Sequence, residues 1–278
     1  MPNRLGTFLL FLLLPLLLAG CWQLPNPDAG DFTDPGARKL AVASATGNTE
    51  AVRRLMKEEG VNPDVHFDSE GTPLVAWPIY KKSPEGLKAM LENGADPNAA
   101  TLHPAQDTTR FKGRIEDNAM VWAVRQSDPV YLQLLLDHGG DPDTRNSNGE
   151  TLFFQARVSG DQWQNIQLLV ERGADINALT FTYPIAWNYS SGGGFGRVYW
   201  LLQHGADPKA GAHGNPLRYP IIDDIFWYPS KPEYAHLQRQ CQQWLLQHGY
   251  QRTPMPEHYR KMRLTFGYPH EEKDIPLL

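Results

Sequence analysis

Met90-Leu91-Glu92-Asn93-Gly94-Ala95-Asp96-Pro97-Asn98 is the stretch on which the fold turns, because the chain repeats it. Close copies read Leu135-Leu136-Asp137-His138-Gly139-Gly140-Asp141-Pro142-Asp143, Leu169-Val170-Glu171-Arg172-Gly173-Ala174-Asp175-Ile176-Asn177 and Leu201-Leu202-Gln203-His204-Gly205-Ala206-Asp207-Pro208. Weaker copies stand at Leu55-Met56 with Gly60-Val61-Asn62-Pro63-Asp64, and at Leu245-Leu246-Gln247-His248-Gly249. Successive glycines of the phrase are spaced by 34, 45, 34, 32 and 44 residues. A glycine after an apolar helix end adopts the left-handed cap without a Cβ clash, so each phrase marks a helix terminus. Four residues before each glycine an apolar side chain recurs: Met56, Met90, Leu135, Leu169, Leu201 and Leu245. These predict a stack shared between units, because one such unit cannot bury its apolar face alone.

Helix starts are marked as well. Thr72-Pro73 and Asn215-Pro216 place a capping side chain before a proline, whose missing N–H costs nothing in a first turn. Ser83-Pro84-Glu85 and Asp128-Pro129 do the same for second helices. Three of the spacings lie near 33 residues, the ankyrin period. Gly71-Thr72-Pro73-Leu74 and Gly149-Glu150-Thr151-Leu152-Phe153-Phe154-Gln155-Ala156 resemble the ankyrin opening phrase, and residues 41–55 resemble its first helix, turn and second helix. The resemblance runs over about residues 37–250. It implies an all-α ankyrin-repeat solenoid of about six helix-turn-helix repeats with finger loops. The chain departs from the pattern at Trp77, where the family has a small alanine, and after Gly249, where Asp-Pro is missing. Residues 251–278 are expected to cap the stack. Extra residues at 99–114 and 209–233 are read as enlarged fingers or altered first helices.

The first twenty residues carry one basic side chain, Arg4, an apolar run over 5–18, and then Leu18-Ala19-Gly20-Cys21. A transmembrane helix is the competing reading. The run is too short, since a bilayer core needs ~20 apolar residues, and Pro15 interrupts it. Leu-Ala-Gly-Cys resembles the lipobox of bacterial lipoproteins. That resemblance implies a signal peptide over 1–20, cleavage before Cys21, lipidation of Cys21 and an anchor to a membrane leaflet. Trp22, rather than Asp, after the cysteine implies the outer membrane, with the protein expected to face the periplasm. Residues 21–36 (CWQLPNPDAGDFTDPG) are read as a flexible tether, and 37–278 as the repeat domain with its cap.

The formal net charge is −5 and no basic run occurs, so nucleic acid is not an expected partner. With Cys21 lipidated, Cys241 is left alone and no internal disulfide forms, so the fold rests on packing. His138, His204 and His248 precede glycines in successive repeats. They would be strung along the array rather than converge on a metal, and are read as helix-end residues favouring the C-terminal dipole. Ser190-Ser191-Gly192-Gly193-Gly194-Phe195-Gly196 lacks the Gly-Lys-Ser/Thr ending of a phosphate loop and is read as a turn. Asp223-Asp224 is read as a solvated or capping pair, and Cys241 as a buried structural thiol. Neither Gly-x-Ser-x-Gly nor His-Glu-x-x-His is present. No enzyme, cofactor, metal site or small-molecule substrate is expected.

Ankyrin-type arrays bind proteins through finger tips and the first helices. The finger candidates for partner binding are His66, Phe67, Asp68, Glu70, Arg110, Phe111, Lys112, Arg114, Arg145, Asn146, Glu150, Phe181, Tyr183 and Arg218. Trp77, Tyr80, Trp122, Arg125, Trp187 and Tyr189 are the first-helix candidates, with burial in the stack competing for Trp77, Trp122 and Trp187. An ankyrin array carried on a lipid resembles immunity lipoproteins held against type VI secretion toxins of the phospholipase class. That implies a secreted phospholipase as partner and steric inhibition as mechanism. A scaffold or assembly factor for an envelope complex is the alternative.

Overall fold

The computed structural model describes residues 29–101, 117–211 and 220–275. They are helical, with only isolated antiparallel bridges at Phe67–Pro73, Arg145–Thr151 and Thr180–Tyr183. The helices pair as α1 (Pro35–Ala45) with α2 (Thr49–Lys57), α3 (Trp77–Tyr80) with α4 (Pro84–Glu92), and α5 (Ala119–Val124) with α6 (Val130–Asp137). Then come α7 (Leu152–Val158) with α8 (Trp163–Glu171), α9 (Ile185–Ser190) with α10 (Phe195–Gln203), and α11 (Pro220–Trp227) with α12 (Ala235–Gln247), followed by α13 (Glu257–Thr265). First helices pack on first helices (α1 on α3, α3 on α5, α5 on α7, α9 on α11) and second on second (α2 on α4, α4 on α6, α10 on α12). The result is a solenoid of six repeats with one continuous core. None of the described helices is long and apolar enough to cross a membrane.

The glycine phrase ends each second helix as its chemistry dictates. Gly94, Gly139, Gly173, Gly205 and Gly249 have φ between +82° and +98°. The residue after each donates its N–H to the apolar residue five back, as Ala95 does to Met90 at 3.0 Å and Ala206 to Leu201 at 3.0 Å. Met90, Leu135, Leu169, Leu201 and Leu245 are fully buried. The first repeat differs from the sequence expectation. One extra residue lies before Gly60, so Val61 closes on Leu55 (2.9 Å), and Leu55, not Met56, is the buried member of the stack.

Side-chain caps start the helices: Asp34 accepts from Ala37 N (2.7 Å), Asn48 from Ala51 N (3.0 Å) and Ser83 from Gly86 N (3.2 Å). Asp128 accepts from Val130 N at 3.0 Å. The expected Thr72 cap does not form. A 3-10 turn, Leu74–Ala76, precedes α3 without a side-chain cap, and Thr72 N instead donates to Asp68 Oδ1 at 2.8 Å. Asn215-Pro216 lies outside the described residues.

The folded part begins earlier than the tether reading places it. Ala29–Asp31 is a 3-10 turn, Phe32 is buried with its ring edge-on to Trp77 (5.5 Å), and Asp34 to Gly36 start α1. Residues 1–28, with the lipobox and Cys21, lie outside the described residues, as does most of the 99–114 insert. The other insert carries α11, the first helix of repeat six, of which Ile221 to Trp227 are all buried. Asp223 and Asp224 are therefore buried rather than solvated. Thr253 Oγ1 donates to Asp223 (2.5 Å), while Ser190 Oγ (2.6 Å) and Tyr259 Oη donate to Asp224. The tail packs over α11: Trp227 Nε1 donates to Thr253 O (3.1 Å), Arg263 donates to Trp227 O (3.0 Å), and the Arg252 guanidinium stands 3.8 Å from the Trp227 ring.

Candidate binding surface

The finger edge is built from the Asp-Pro-Asn phrase. Within each copy the first Asp turns the chain: Asp96 Oδ1 accepts from Asn98 N (2.8 Å), Asp141 from Asp143 N (2.9 Å), Asp175 from Asn177 N (3.0 Å) and Asp207 from Lys209 N (2.8 Å). The last residue of each copy then reaches the next repeat. Asp64 accepts from Asp96 N (2.9 Å), Asn98 from Asp141 N (2.8 Å), Asp143 from Asp175 N (2.8 Å) and Asn177 from Asp207 N (2.8 Å). Asp96, Asp141, Asp143, Asp175 and Asp207 are exposed, so this latch also leaves an acidic stripe along the array.

Several predicted residues build the fingers rather than project from them. Asp68 accepts from Glu70 N (2.9 Å) and Thr72 N (2.8 Å). Asn146 does the same for Asn148 N (3.0 Å) and Glu150 N (2.8 Å) and is buried, which removes it as a contact residue. Arg145 spans two fingers, donating to Gly149 O (2.8 Å) and Leu179 O (2.9 Å). His66 and Phe67 are half-buried, with His66 4.0 Å from Asp34, and Glu70 is exposed. Arg110, Phe111, Lys112, Arg114 and Arg218 lie outside the described residues.

On the first helices the rings form a row. Phe32 meets Trp77, Trp77 stacks near Tyr80 (6.4 Å), and Tyr80 meets Trp122 edge-on (5.9 Å). Trp77 is only 2% exposed, so it serves the core and not a partner; the Lys81 ammonium stands 4.6 Å from its ring. Tyr80 and Trp122 are half-buried and keep an accessible edge. Arg125 lies 5.7 Å from the Trp122 ring and anchors a polar chain across two repeats. It pairs with Asp117 (2.7 Å) and donates to Gln155 Oε1 (2.8 Å); Gln155 in turn donates to Glu150 (2.6 Å), as does Asn146 (2.7 Å).

A second aromatic group occupies the finger before α9. Thr180 and Tyr183 exchange both backbone hydrogen bonds (3.1 and 3.2 Å), leaving a two-residue tip. Phe181 at that tip is 76% exposed at φ +57°, a conformation that favours glycine and strains a bulky side chain. Its ring sits edge-on to Phe154 (6.1 Å), a neighbour that the finger pattern does not single out. Beside it Tyr183 stacks on half-buried Trp187 at 3.8 Å. Tyr189, by contrast, is buried; its hydroxyl donates to Asp161 at 2.6 Å, and it is not a face residue.

The groups weighed for catalysis have structural partners. His138, His204 and His248 each hydrogen-bond through Nδ1 to the carbonyl four residues back (2.8, 2.7 and 2.7 Å), which places them on helix C-termini. His204 and His248 also stack on Trp200 and Trp244 (3.7 and 3.8 Å). The glycine run is the α9–α10 turn: Gly193 has φ +75°, and a Cβ there would lie 2.7 Å from the Tyr228 ring. Cys241 is buried, donates to Phe195 O at 3.3 Å, and burial pushes its pKa up to about 12, far from a nucleophile's range. No group of three potential metal ligands occurs among the described residues.

No protein-family model matches this chain, and neither does any curated protein. Solved structures do. The ankyrin repeat domain of Bcl-3, described as a unique member of the IκB protein family, is 23% identical with a TM-score of 0.56, over 77% of this chain and 86% of that one. The ankyrin repeat protein EF0377 is 21% identical with a TM-score of 0.54, over 77% of this chain and 98% of that one. At such identity the likeness speaks to architecture, and it agrees with the paired helices, glycine caps and latched fingers: the chain has the ankyrin-repeat fold.

Proposed function

We propose that this protein is a lipid-anchored, protein-binding module of the bacterial envelope. In this reading it is an immunity protein that grips a cognate type VI secretion toxin of the phospholipase class and sterically blocks its active-site mouth. The observation that carries the binding role is the Phe181 finger. A strained, exposed aromatic tip beside Phe154 and the Tyr183–Trp187 stack is the chemistry of an interface anchor: large rings, few rotors, and apolar area left uncovered. The exposed stripe from Asp96 to Asp207 complements a basic, phosphate-binding site on such an enzyme. Leu18-Ala19-Gly20-Cys21 supports the anchoring at Cys21, and Trp22 after it an outer-membrane location; facing the periplasm is the orientation in which it would meet such a toxin.

The test is affinity capture of the chain from residue 22 onward out of an envelope extract, read by mass spectrometry and followed by inhibition assays on what is captured. One stoichiometric phospholipase, inhibited on binding, is the expected result. Recovery of several non-toxic envelope proteins would overturn the immunity reading in favour of a scaffold.

A further inference from the structure

At the far ends of the first helices, opposite the fingers, the helix turns of repeats four to six and the capping segment line an open recess of about 940 Å³. No reading of the sequence assigned it a role. Trp163, Tyr189 and Trp200 form one wall, with Trp163 edge-on to Tyr189 (5.6 Å) and to Trp200 (5.3 Å). Two guanidinium groups lie on these rings. Arg197 stands 5.0 Å from Trp163 and 5.2 Å from Tyr189, and Arg157 stands 5.1 Å from Tyr189.

The charges in the recess do not balance. Asp161 is the sole carboxylate among the lining residues, against Arg157, Arg197 and Lys231. Asp161 is committed: it pairs directly with Arg197 and accepts from Tyr189 Oη at 2.6 Å, and it is held at φ +61° to do so. Arg157 receives what is left. Its Nε lies 3.9 Å from Asp161, too far for a hydrogen bond, and is shielded from water with no hydrogen-bond partner. A shielded guanidinium N–H without an acceptor is costly; the Arg157 side chain as a whole is 39% exposed, so a second carboxylate can approach the remainder of its guanidinium and supply the charge that Asp161 supplies to Arg197. Desolvation, and then the charge of Arg157, press the Arg197 pKa below its ordinary value, so a second anion would be favourable to both arginines.

We propose that this recess binds an organic anion: a carboxylate carried on an aromatic or apolar body, with Arg157 and Arg197 meeting the charge and Trp163 and Trp200 the body. A bare inorganic ion fits poorly, because the lining is mainly apolar, with eight aromatic side chains, and would strip its hydration without replacing it. A free aromatic acid and the C-terminal carboxylate of a polypeptide share the required chemistry.

The probes are 3-phenylpropionate, N-acetylphenylalanine, its carboxamide, and inorganic phosphate. Each is titrated into protein carrying 15N-labelled tryptophan, and the Trp163 and Trp200 indole signals are assigned with Trp163→Phe and Trp200→Phe. The expected result is saturable movement of both signals with N-acetylphenylalanine. Its carboxamide should bind at least ~10-fold more weakly, phosphate should move neither signal, and Arg157→Gln should weaken the acid ~10-fold, with Arg157→Lys recovering part. Equal response to acid and carboxamide overturns the proposal, and that comparison needs no variant to fold. Unchanged acid affinity in a folded Arg157→Gln protein overturns it too. Response to both acids identifies a free organic acid as sufficient; response to N-acetylphenylalanine alone identifies a chain end.

Discussion

Asn98 holds two repeats together with one side chain: its Oδ1 accepts from Asp141 N at 2.8 Å, and its Nδ2 donates to Gly139 O at 3.0 Å. Asn177 repeats the arrangement with Asp207 N (2.8 Å) and Gly205 O (3.2 Å). The amide serves as both acceptor and donor, so asparagine does here what aspartate at 64 and 143 does only by half. Lys209 stands at the corresponding place in repeat five, with its ammonium 5.5 Å from the Tyr250 ring, and the ladder ends there with the loss of Asp-Pro after Gly249.

Because repeat arrays are sums of unit and interface terms, cutting one rung should be felt as a local loss of coupling. Asn177→Ala is expected to cost about 1–2 kcal/mol, and Asn177→Asp, which keeps the acceptor, less. Urea denaturation followed at the tryptophans reads both. Equal losses for the two variants would show that the rung adds nothing beyond the Gly205 contact.

Gly86 lies where α4 crosses the end of α1, and a Cβ there would come within 1.8 Å of the Ser44 carbonyl oxygen, a backbone atom. Gly86→Ala must push the two helices apart and is expected to cost about 3 kcal/mol. Gly192→Ala is the control. Its Cβ would meet nothing closer than 3.8 Å at an ordinary φ, and the change should leave the melting temperature the same or slightly raised.

Asp224 titrates in an accessible range. Desolvation, reinforced by the neighbouring charge of Asp223, raises its pKa to about 6 from the ordinary 3.8, against the hydrogen bonds from Ser190 and Tyr259 that lower it. The folded protein thus binds this proton more tightly than the unfolded chain. Its stabilising contribution is full below about pH 4 and is lost as pH rises through 6. Unfolding free energy measured between pH 4 and 7 should carry that negative slope in the native protein and lose it in Asp224→Asn.

Phe181 sets stability against binding. Replacing it with glycine relieves the left-handed backbone, and Phe181→Gly should raise stability by about 1 kcal/mol. The same change removes the exposed ring and should weaken the partner by about 2 kcal/mol or more, whereas Phe181→Tyr should keep most of the affinity. Calorimetric melting and partner titration separate the two effects; a stabilised variant that binds unchanged would remove the finger tip from the interface.

Legibility varied with the range of the interactions. The six glycine caps, five of the six stack residues and the fingers could be read from residues alone, because each is a local signal repeated along the chain. The slip at Met56 shows the limit: one inserted residue before Gly60 rotates the helix end and hands the buried place to Leu55. The accessible part of the candidate surface was half legible. Finger position suggested Phe181 and Tyr183, and first-helix position Tyr80 and Trp122, which keep accessible surface; the same two rules also suggested Asn146, Trp77 and Tyr189, which do not.

Packing alone decided those last three, as it decided the burial of Asp223 and Asp224 and the existence of the recess. Ser190 finds Asp224 34 residues away, Asp161 finds Tyr189 28 residues away, and Tyr259 reaches back 35 residues from the cap. Periodicity announces where a helix ends and which face is apolar, since both follow from neighbours three or four positions apart. It carries no information on which polar group of a distant segment will meet a buried carboxylate, because that depends on how the repeats stack.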